Sequence, residues 1–182
     1  MESIYFKKGT VPIVSIIAKQ SNTGKTTLIE GIIKVLKTRN YSIGVLKHDA
    51  HKFEIDKEGK DSYRFSKAGA DVTIVSSKDK LALIENLKEE KELKDIISMF
   101  GYQDLIIIEG YKNNDYPKIE VYRKEVNSEL IYSTAKNKNS FVAIATNEAL
   151  DINLIQLDIN DIEKIAGFIE EKFIKERSFQ NE

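Results

Sequence analysis

The stretch Ser21-Asn22-Thr23-Gly24-Lys25-Thr26-Thr27 decides the fold of this 182-residue chain. It lies between an apolar run, residues 11–17, and a helical pattern with apolar positions from Leu28 onward. A phosphate-binding loop needs a glycine at a tight turn, backbone N–H groups and a helix N-terminus that faces the anion. Gly24, Lys25 and Thr26 then supply the turn, a cation for the phosphates and a hydroxyl for Mg²⁺ in the usual order. The stretch predicts a nucleoside triphosphate site; the alternative is a lysine at an ordinary strand–helix turn.

The loop departs from the common pattern at two positions. Lys19 stands where the first glycine belongs, and Asn22 stands where a third glycine is common. Asparagine tolerates left-handed backbone better than most residues, so the turn can still form. The extra lysine of variant loops belongs one place later, at Gln20, so we expect Lys19 to be a solvated turn residue. The residues expected to line the anion pocket are Ser21, Asn22, Thr23, Gly24, Lys25, Thr26 and Thr27.

The composition is that of an ordinary globular protein. With 28 basic and 29 acidic residues the net charge is −1, which favours neither nucleic acid nor an anionic membrane as a partner. The absence of cysteine excludes disulfides and thiolate metal sites. No signal peptide pattern opens the chain, and no apolar stretch approaches the roughly 20 residues of a membrane span. We expect a cytoplasmic protein with a single domain over residues 1–182, its core at 11–175 and its ends frayed.

Short apolar runs alternate with helical periods along the chain. This alternation predicts an α/β fold with a mostly parallel central sheet, helices on both faces and a possible antiparallel edge hairpin. The predicted strands cover residues 11–17, 41–47, 71–76, 80–84, 105–108, 117–122 and 141–145. Helices are predicted after the loop, at 61–67, at 86–100 with Gly101 as its cap, and from about 161 with Asn160 and Glu163 as a capping box. Residues 124–140 are expected to be connector, and Lys118 and Glu120 to lie on a solvated strand face.

Glu109 follows the continuous apolar run 105–108. An acid at the carboxyl end of a core strand beside the first strand can hold Mg²⁺ or its water. We therefore predict Glu109 and Thr26 as metal ligands. The alternative is a strand cap that pairs with a lysine such as Lys112.

The polar segment after the second strand holds both histidines of the chain. It begins at the sheet edge where open α/β folds bind ligands. We predict Asp49 as a Mg²⁺ carboxylate and Lys47, His48 and His51 as contacts for an anionic substrate. The alternatives are a zinc site from His48, Asp49 and His51, or an exposed polar loop.

For two further groups of charged residues, the sequence allows more than one role. Lys60 and Arg64 can present cations to a phosphate, while Asp61 between them can instead cap the next helix. Arg123, at the end of a short strand, is either a phosphate clamp or part of a subunit contact.

Taken together, these motifs resemble the MobB family, the molybdopterin-guanine dinucleotide biosynthesis proteins. The similarity runs in family order from about residue 11 to 170. Its segments are 23–27, Lys47-His48, His51, 55–57, Gly59-Lys60-Asp61-Ser62, 68–70, Ile108-Glu109-Gly110-Tyr111-Lys112, Lys118-Ile119, Arg123 and 157–161.

The resemblance implies a P-loop fold, GTP binding with Mg²⁺, at most weak GTP hydrolysis, and a homodimer. It implies an accessory role for the MobA guanylyltransferase that joins GMP to Mo-molybdopterin. In that role Lys25 holds phosphates, Thr26 and Glu109 hold Mg²⁺, and Asp49 contacts metal or attacking water. Molybdopterin itself is a possible ligand, through Lys47, His48, His51, Lys60 and Arg64, which are also candidates for the dimer surface.

Two other functions compete with this interpretation. A P-loop kinase would need arginines on a lid that reach the transferred phosphoryl group. The four arginines stand far apart, at positions 39, 64, 123 and 177, without a lid-like segment. A nucleotide-dependent binding module without turnover is the second alternative, and GTP hydrolysis in the absence of partners would separate it from an enzyme.

Overall fold

The computed structural model describes residues 11–48, 53–126 and 129–176, which belong to two compact units. The sheet unit comprises Met1–His48 and Phe100–Glu182, and the hairpin unit comprises Asp49–Met99. The expectation of one domain over the whole chain stays a prediction. None of the described helices is long and apolar enough to cross a membrane.

The sheet unit is built on six parallel strands in the order β2-β5-β1-β6-β7-β8. Their bounds are β1 Ile13–Ile17, β2 Ile43–Lys47, β5 Leu105–Glu109, β6 Lys118–Tyr122, β7 Phe141–Thr146 and β8 Gln156–Asp158. Strand β5 lies between β1 and β2, and its four aliphatic residues are buried. Such continuous apolar runs are typical of parallel strands covered on both faces. The predicted parallel α/β class is confirmed.

Two helices pack side by side on one face of this sheet. Helix α1, Lys25–Thr38, buries Leu28, Ile29, Ile32 and Leu36, and helix α5, Ile162–Ile169, continues as a π-helix at Glu170–Lys175. Val121 of β6 belongs to this core. The next residue, Tyr122, faces the opposite side and belongs to a second buried cluster. Tyr132 of the short helix α4, Ile131–Thr134, packs against that cluster. Helices therefore cover both faces, as predicted.

The hairpin unit holds helix α2 at Asp61–Lys67, strands β3 at Val72–Ser76 and β4 at Leu81–Glu85, and helix α3 at Leu93–Ser98. Strands β3 and β4 pair in antiparallel register, with Ile74 opposite Leu83. The predicted hairpin is confirmed, although it forms a sheet of its own rather than an edge of the larger one.

The structure corrects several predicted boundaries. The helix predicted at 86–100 covers only Leu93–Ser98 and ends on Met99 rather than at Gly101. Residues 86–92 offer only Leu87 as a large apolar side chain, and most helical stability comes from packing such a face. The connector at 124–140 contains α4 and a 3₁₀ turn at Lys138–Ser140, and strand β8 was not predicted. Finally, Asp161, not Asn160, caps α5 by accepting a hydrogen bond from the Lys164 N–H.

Candidate functional site

The loop between β1 and α1 turns through two left-handed residues. Asn22 has φ 60° and Gly24 has φ 94°, so the asparagine adopts the backbone that a glycine often supplies. The buried Thr23 hydroxyl donates to the Gln20 carbonyl at 2.9 Å and closes the turn. Helix α1 then begins at Lys25, with its first N–H groups at the loop. A tight turn that leads into a 14-residue helix is the geometry in which backbone N–H groups bind anions.

Lys25 lies in a positively charged environment at this loop. Its ammonium donates to the Gln20 carbonyl at 3.2 Å. Burial lowers the pKa of Lys25, Glu109 opposes that shift, and the cations Lys112 and Lys47 add to it. Positive charge from three lysines therefore converges where a polyphosphate would need it.

Thr26 and Glu109 meet across the loop. The Thr26 hydroxyl donates to Glu109 Oε1 at 3.2 Å. Glu109 reaches this position because it ends β5, in register with Ile16 of β1 on one side and Lys47 of β2 on the other. Hydroxyl and carboxylate oxygens are hard ligands of the kind Mg²⁺ prefers, and Mg²⁺ usually takes its remaining ligands from phosphates and water. The described residues contain no cluster of three or more His, Cys, Asp or Glu that would hold a metal without a nucleotide. The donor set at the loop thus fits Mg²⁺.

The backbone after Glu109 is tightly constrained. Gly110 has φ 98°, and a Cβ placed there would lie 3.3 Å from the Cβ of His48. The His48 N–H donates to the Glu109 carbonyl at 2.9 Å, and its ring stacks on Tyr111 with centroids 4.0 Å apart. Tyr111 itself has φ 47°, a strained conformation for a bulky residue. The glycine therefore allows two neighbouring strand ends to approach closely beside Thr26 and Glu109.

A buried lysine organises the loop that follows. Lys118 is 2% exposed, where the alternating charges predicted a solvated face, and burial lowers its pKa. Its ammonium donates to the carbonyls of Asn114 and Tyr116, the latter at 3.0 Å. Asn114 in turn donates to the Ser15 hydroxyl of β1 at 2.9 Å. The loop is folded around an internal cation, which periodicity along one strand does not reveal.

Glu120, the other charged residue of this face, is also fully buried. Its two carboxylate oxygens accept the N–H groups of Ile131 at 2.6 Å and Tyr132 at 2.9 Å, and so hold the first turn of α4. Burial raises the pKa of Glu120, and these backbone hydrogen bonds oppose the shift. The prediction of a solvated strand face is wrong because the loop before β6 and helix α4 cover that face of the sheet.

Lys112 lies at the loop rather than against Glu109. It donates to the Lys19 carbonyl at 2.9 Å, directly before the phosphate-loop turn. The Lys19 side chain points elsewhere, to an ion pair with Glu129 at 3.5 Å. The sequence predicts Lys112 only as a possible partner of Glu109. The signal for a further role is its place in the Glu109-Gly110-Tyr111-Lys112 segment that carries part of the family resemblance.

Four predicted residues lie outside the described part of the sheet unit. Asp49 and His51 lie outside the described residues. Lys60 and Arg64 belong to the hairpin unit, where Lys60 directly precedes α2 and Arg64 pairs with Asp61 at 3.3 Å. Asp61 is the first residue of α2 and makes no side-chain cap. The phosphate role of Lys60 and Arg64 stays a prediction.

This is a P-loop-like α/β protein. Its class is defined by the parallel sheet, by the glycine-containing loop between β1 and α1, and by the acid at the end of the adjacent β5. The family model of molybdopterin guanine dinucleotide synthesis protein B matches residues 13–147. The chain belongs to the MobB family.

Curated relatives and a solved structure agree with this assignment. The molybdopterin-guanine dinucleotide biosynthesis adapter protein of Haemophilus influenzae is 34% identical over 169 residues, 92% of each chain. The adapter protein of the same description from Escherichia coli is 36% identical over 90% of this chain and 94% of its own. The crystal structure of Bacillus subtilis MobB covers 89% of this chain and 98% of its own, with a TM-score of 0.71 and 29% identity.

Proposed function

We propose that this protein is an adapter in molybdopterin-guanine dinucleotide biosynthesis that binds GTP with Mg²⁺. The observation that carries the proposal is the contact between Thr26 and Glu109 beside Lys25, at a loop of anion-binding geometry. The pathway comes from the relatives described as adapter proteins, which match nearly the whole chain.

The described residues support distinct roles within this proposal. Lys25 and the backbone N–H groups from Asn22 to Thr27 hold the phosphates, because the loop presents them at the N-terminus of α1. Thr26 and Glu109 hold Mg²⁺, which would supply charge neutralisation to the phosphates when bound. Lys47, the last residue of β2 at the same sheet edge, adds positive charge for a second anionic group such as a pterin phosphate.

We further propose that the adapter acts on behalf of a MobA-like guanylyltransferase and hydrolyses GTP weakly or not at all on its own. Asp49 is the residue predicted to contact metal or attacking water. If the protein serves as an adapter, its nucleotide must reach the partner enzyme intact, which fits slow turnover.

A calorimetric titration tests nucleotide binding. GTP, ATP and their diphosphates are titrated, with and without Mg²⁺, into wild type and Lys25→Ala. We expect wild type to bind GTP more tightly with Mg²⁺ and Lys25→Ala to bind it far more weakly. Tight ATP binding without GTP preference would contradict the guanylylation role, and equal affinity of Lys25→Ala would misplace the site.

A pull-down with a MobA-like guanylyltransferase tests the adapter role. We expect retention of the enzyme that increases with GTP and Mg²⁺. Lys25→Ala is the matched control, since it lacks the nucleotide lysine but keeps the rest of the surface. Absence of retention under every nucleotide condition would contradict the partnership.

The homodimer is proposed through the hairpin of the second unit. One face of this two-stranded sheet carries four exposed aliphatic side chains: Val72 at 48%, Ile74 at 57%, Leu81 at 68% and Leu83 at 53%. A two-stranded sheet is marginal without further packing, and contiguous apolar surface of this kind marks an interface. We propose that this face packs against the same face of a second copy of the chain.

Light scattering after size-exclusion chromatography measures the mass of the protein in solution and so distinguishes a dimer from a monomer. We expect a dimer for wild type and a monomer for Leu83→Asp. Ala82→Asp adds the same charge on the opposite face of β4 and should stay dimeric. A monomeric wild type, or a dimer for both variants, would contradict the proposed interface.

A further inference from the structure

The arginines of the described chain differ in how their charge is matched. Arg39 pairs with Glu163 and Glu170, and Arg64 pairs with Asp61. Within residues 11–48, 53–126 and 129–176, no carboxylate forms an ion pair with the third, Arg123. Yet this side chain is half-buried rather than extended into water. A desolvated cation without an anion is costly unless a ligand supplies one.

Arg123 is placed against the phosphate loop by the sheet. Strand β6 pairs with β1 in parallel, with Glu120 opposite Ile17, so the two strands end at the same edge of the sheet. A Cβ built on Gly24 would lie 3.5 Å from Arg123 Nε and 3.8 Å from Nη2. These two nitrogens form the edge of the guanidinium that binds an oxyanion with two parallel hydrogen bonds.

The nearest acid in sequence is already engaged. Both carboxylate oxygens of Glu125 accept from Asn147 Nδ2 at 2.9 Å. The pKa of Glu125 is lowered by a hydrogen bond from its own backbone N–H and by Asn147, with a smaller contribution from the charge of Arg123. Asn147, at the end of β7, thus holds Glu125 and leaves the Arg123 guanidinium directed at the loop.

We propose that Arg123 binds the phosphate chain of the nucleotide as a second cation beside Lys25. The inference rests on the proposed nucleotide function and deepens it. The guanidinium lies within van der Waals distance of the Cβ position of Gly24, and Arg123 reaches the loop from a different strand because it directly follows β6. Because it contacts phosphate rather than base, Arg123 contributes equally to every nucleoside triphosphate that the loop accepts.

The test measures GTP and ATP affinity of Arg123→Gln, Arg123→Lys and wild type. Charge-assisted hydrogen bonds of this kind correspond to a loss of roughly 10- to 100-fold in affinity when removed. We expect Arg123→Gln to lose that factor for both nucleotides, and Arg123→Lys to lose less, since lysine keeps the charge without the bidentate edge. Lys164→Gln removes the same charge from the exposed surface of α5 and should bind as wild type does.

The outcomes separate this proposal from the one on which it rests. If wild type binds neither nucleotide, the proposed function fails. If wild type binds and Arg123→Gln binds equally well, the phosphate role of Arg123 is overturned. A loss confined to GTP also overturns it, because Arg123 would then act on the base. Thermal unfolding without nucleotide shows that each variant is folded before its affinity is compared.

Discussion

Two charged clusters of the sheet unit are organised in opposite ways. The helix-end cluster, Arg39, Tyr41, Glu163, Glu170 and Lys175, lies where α1 ends against the π-helix. There Arg39 bonds to Glu170 and to Glu163, the latter at 2.8 Å, and Tyr41 and Lys175 reach Glu170 at 3.0 and 3.3 Å. The loop cluster, Lys25, Lys47, Lys112, Arg123 and Glu109, lies at the other end of α1. There Lys25 and Lys112 donate to main-chain carbonyls.

The difference is one of charge balance. In the helix-end cluster the buried acid receives hydrogen bonds from three partners, so its charge contributes to folding. Among the described residues of the loop cluster, four cations face one acid, and like charges held close together oppose folding. An unbalanced positive site persists in a folded protein when an anionic ligand completes it. Stability and binding are therefore expected to respond to different residues, and four experiments test that separation.

Lys25→Ala should produce the largest effect, on binding alone. We expect the dissociation constant for GTP to rise about 100-fold, since a charge-assisted contact to phosphate is lost. The unfolding temperature without nucleotide should stay the same or rise, because burial and the neighbouring lysines already disfavour this charge. A large drop in that temperature would show that the loop cluster stabilises the fold.

Glu170→Ala should have the opposite effect, lowering stability and leaving nucleotide binding unchanged. Removing the carboxylate leaves the hydrogen-bond donors of Arg39 and Tyr41 without their acceptor. We therefore expect a loss of about 2 kcal/mol in the free energy of unfolding. Chemical denaturation measures it. GTP affinity should not change, and a change of more than a few fold would mean that the two ends of α1 are coupled.

Glu109→Gln should affect the metal dependence of binding. We expect the ratio of GTP dissociation constants without and with Mg²⁺ to fall by about 10-fold, because the amide is a weaker ligand for a hard cation. Glu163→Gln removes an equivalent charge from the helix-end cluster and serves as the matched control. If both variants keep the wild-type ratio, Glu109 is not a metal ligand.

The smallest effects concern pH, where two buried glutamates should differ in sign. Burial alone would raise the pKa of Glu170, but hydrogen bonds from Arg39, Tyr41 and Lys175 outweigh it and leave the pKa lowered. Its stabilisation is present above the unfolded value of about 4.5 and is lost as pH falls through the folded pKa. Glu120, whose pKa burial raises, stabilises below that unfolded value and loses this contribution as pH rises through its folded pKa.

Unfolding temperatures of the two Gln variants across pH check this contrast. The deficit of Glu170→Gln relative to wild type should shrink as the solution is acidified. Glu120→Gln should improve relative to wild type as pH rises from about 4 to 7. Parallel curves for both variants would show that neither carboxylate has a shifted pKa.

Local patterns predicted much of the structure correctly. Helix α2 was predicted at its observed bounds, Asp61–Lys67, and β5 was identified from four consecutive aliphatic residues. The left-handed turn at Asn22 also follows from residue type. The helix at 86–100 was overextended because charged residues with helical spacing do not form a helix without a surface to pack on.

The sequence by itself determined the strand–loop–helix, because its residues are close together in the chain. It also determined the parallel α/β class, from the alternation of apolar runs and helical periods, and an acid at the end of the apolar run 105–108. Only the tertiary structure decided that Lys118 and Glu120 are buried and that Arg123 lies against Gly24. The burial depends on the loop before β6 and on α4, which cover that face of the sheet. The approach to Gly24 depends on β6 lying beside β1. A strand pattern carries no information about either. Lys118 and Glu120 thus hold the loop before β6 and helix α4 in place, and Arg123 faces the loop at Gly24.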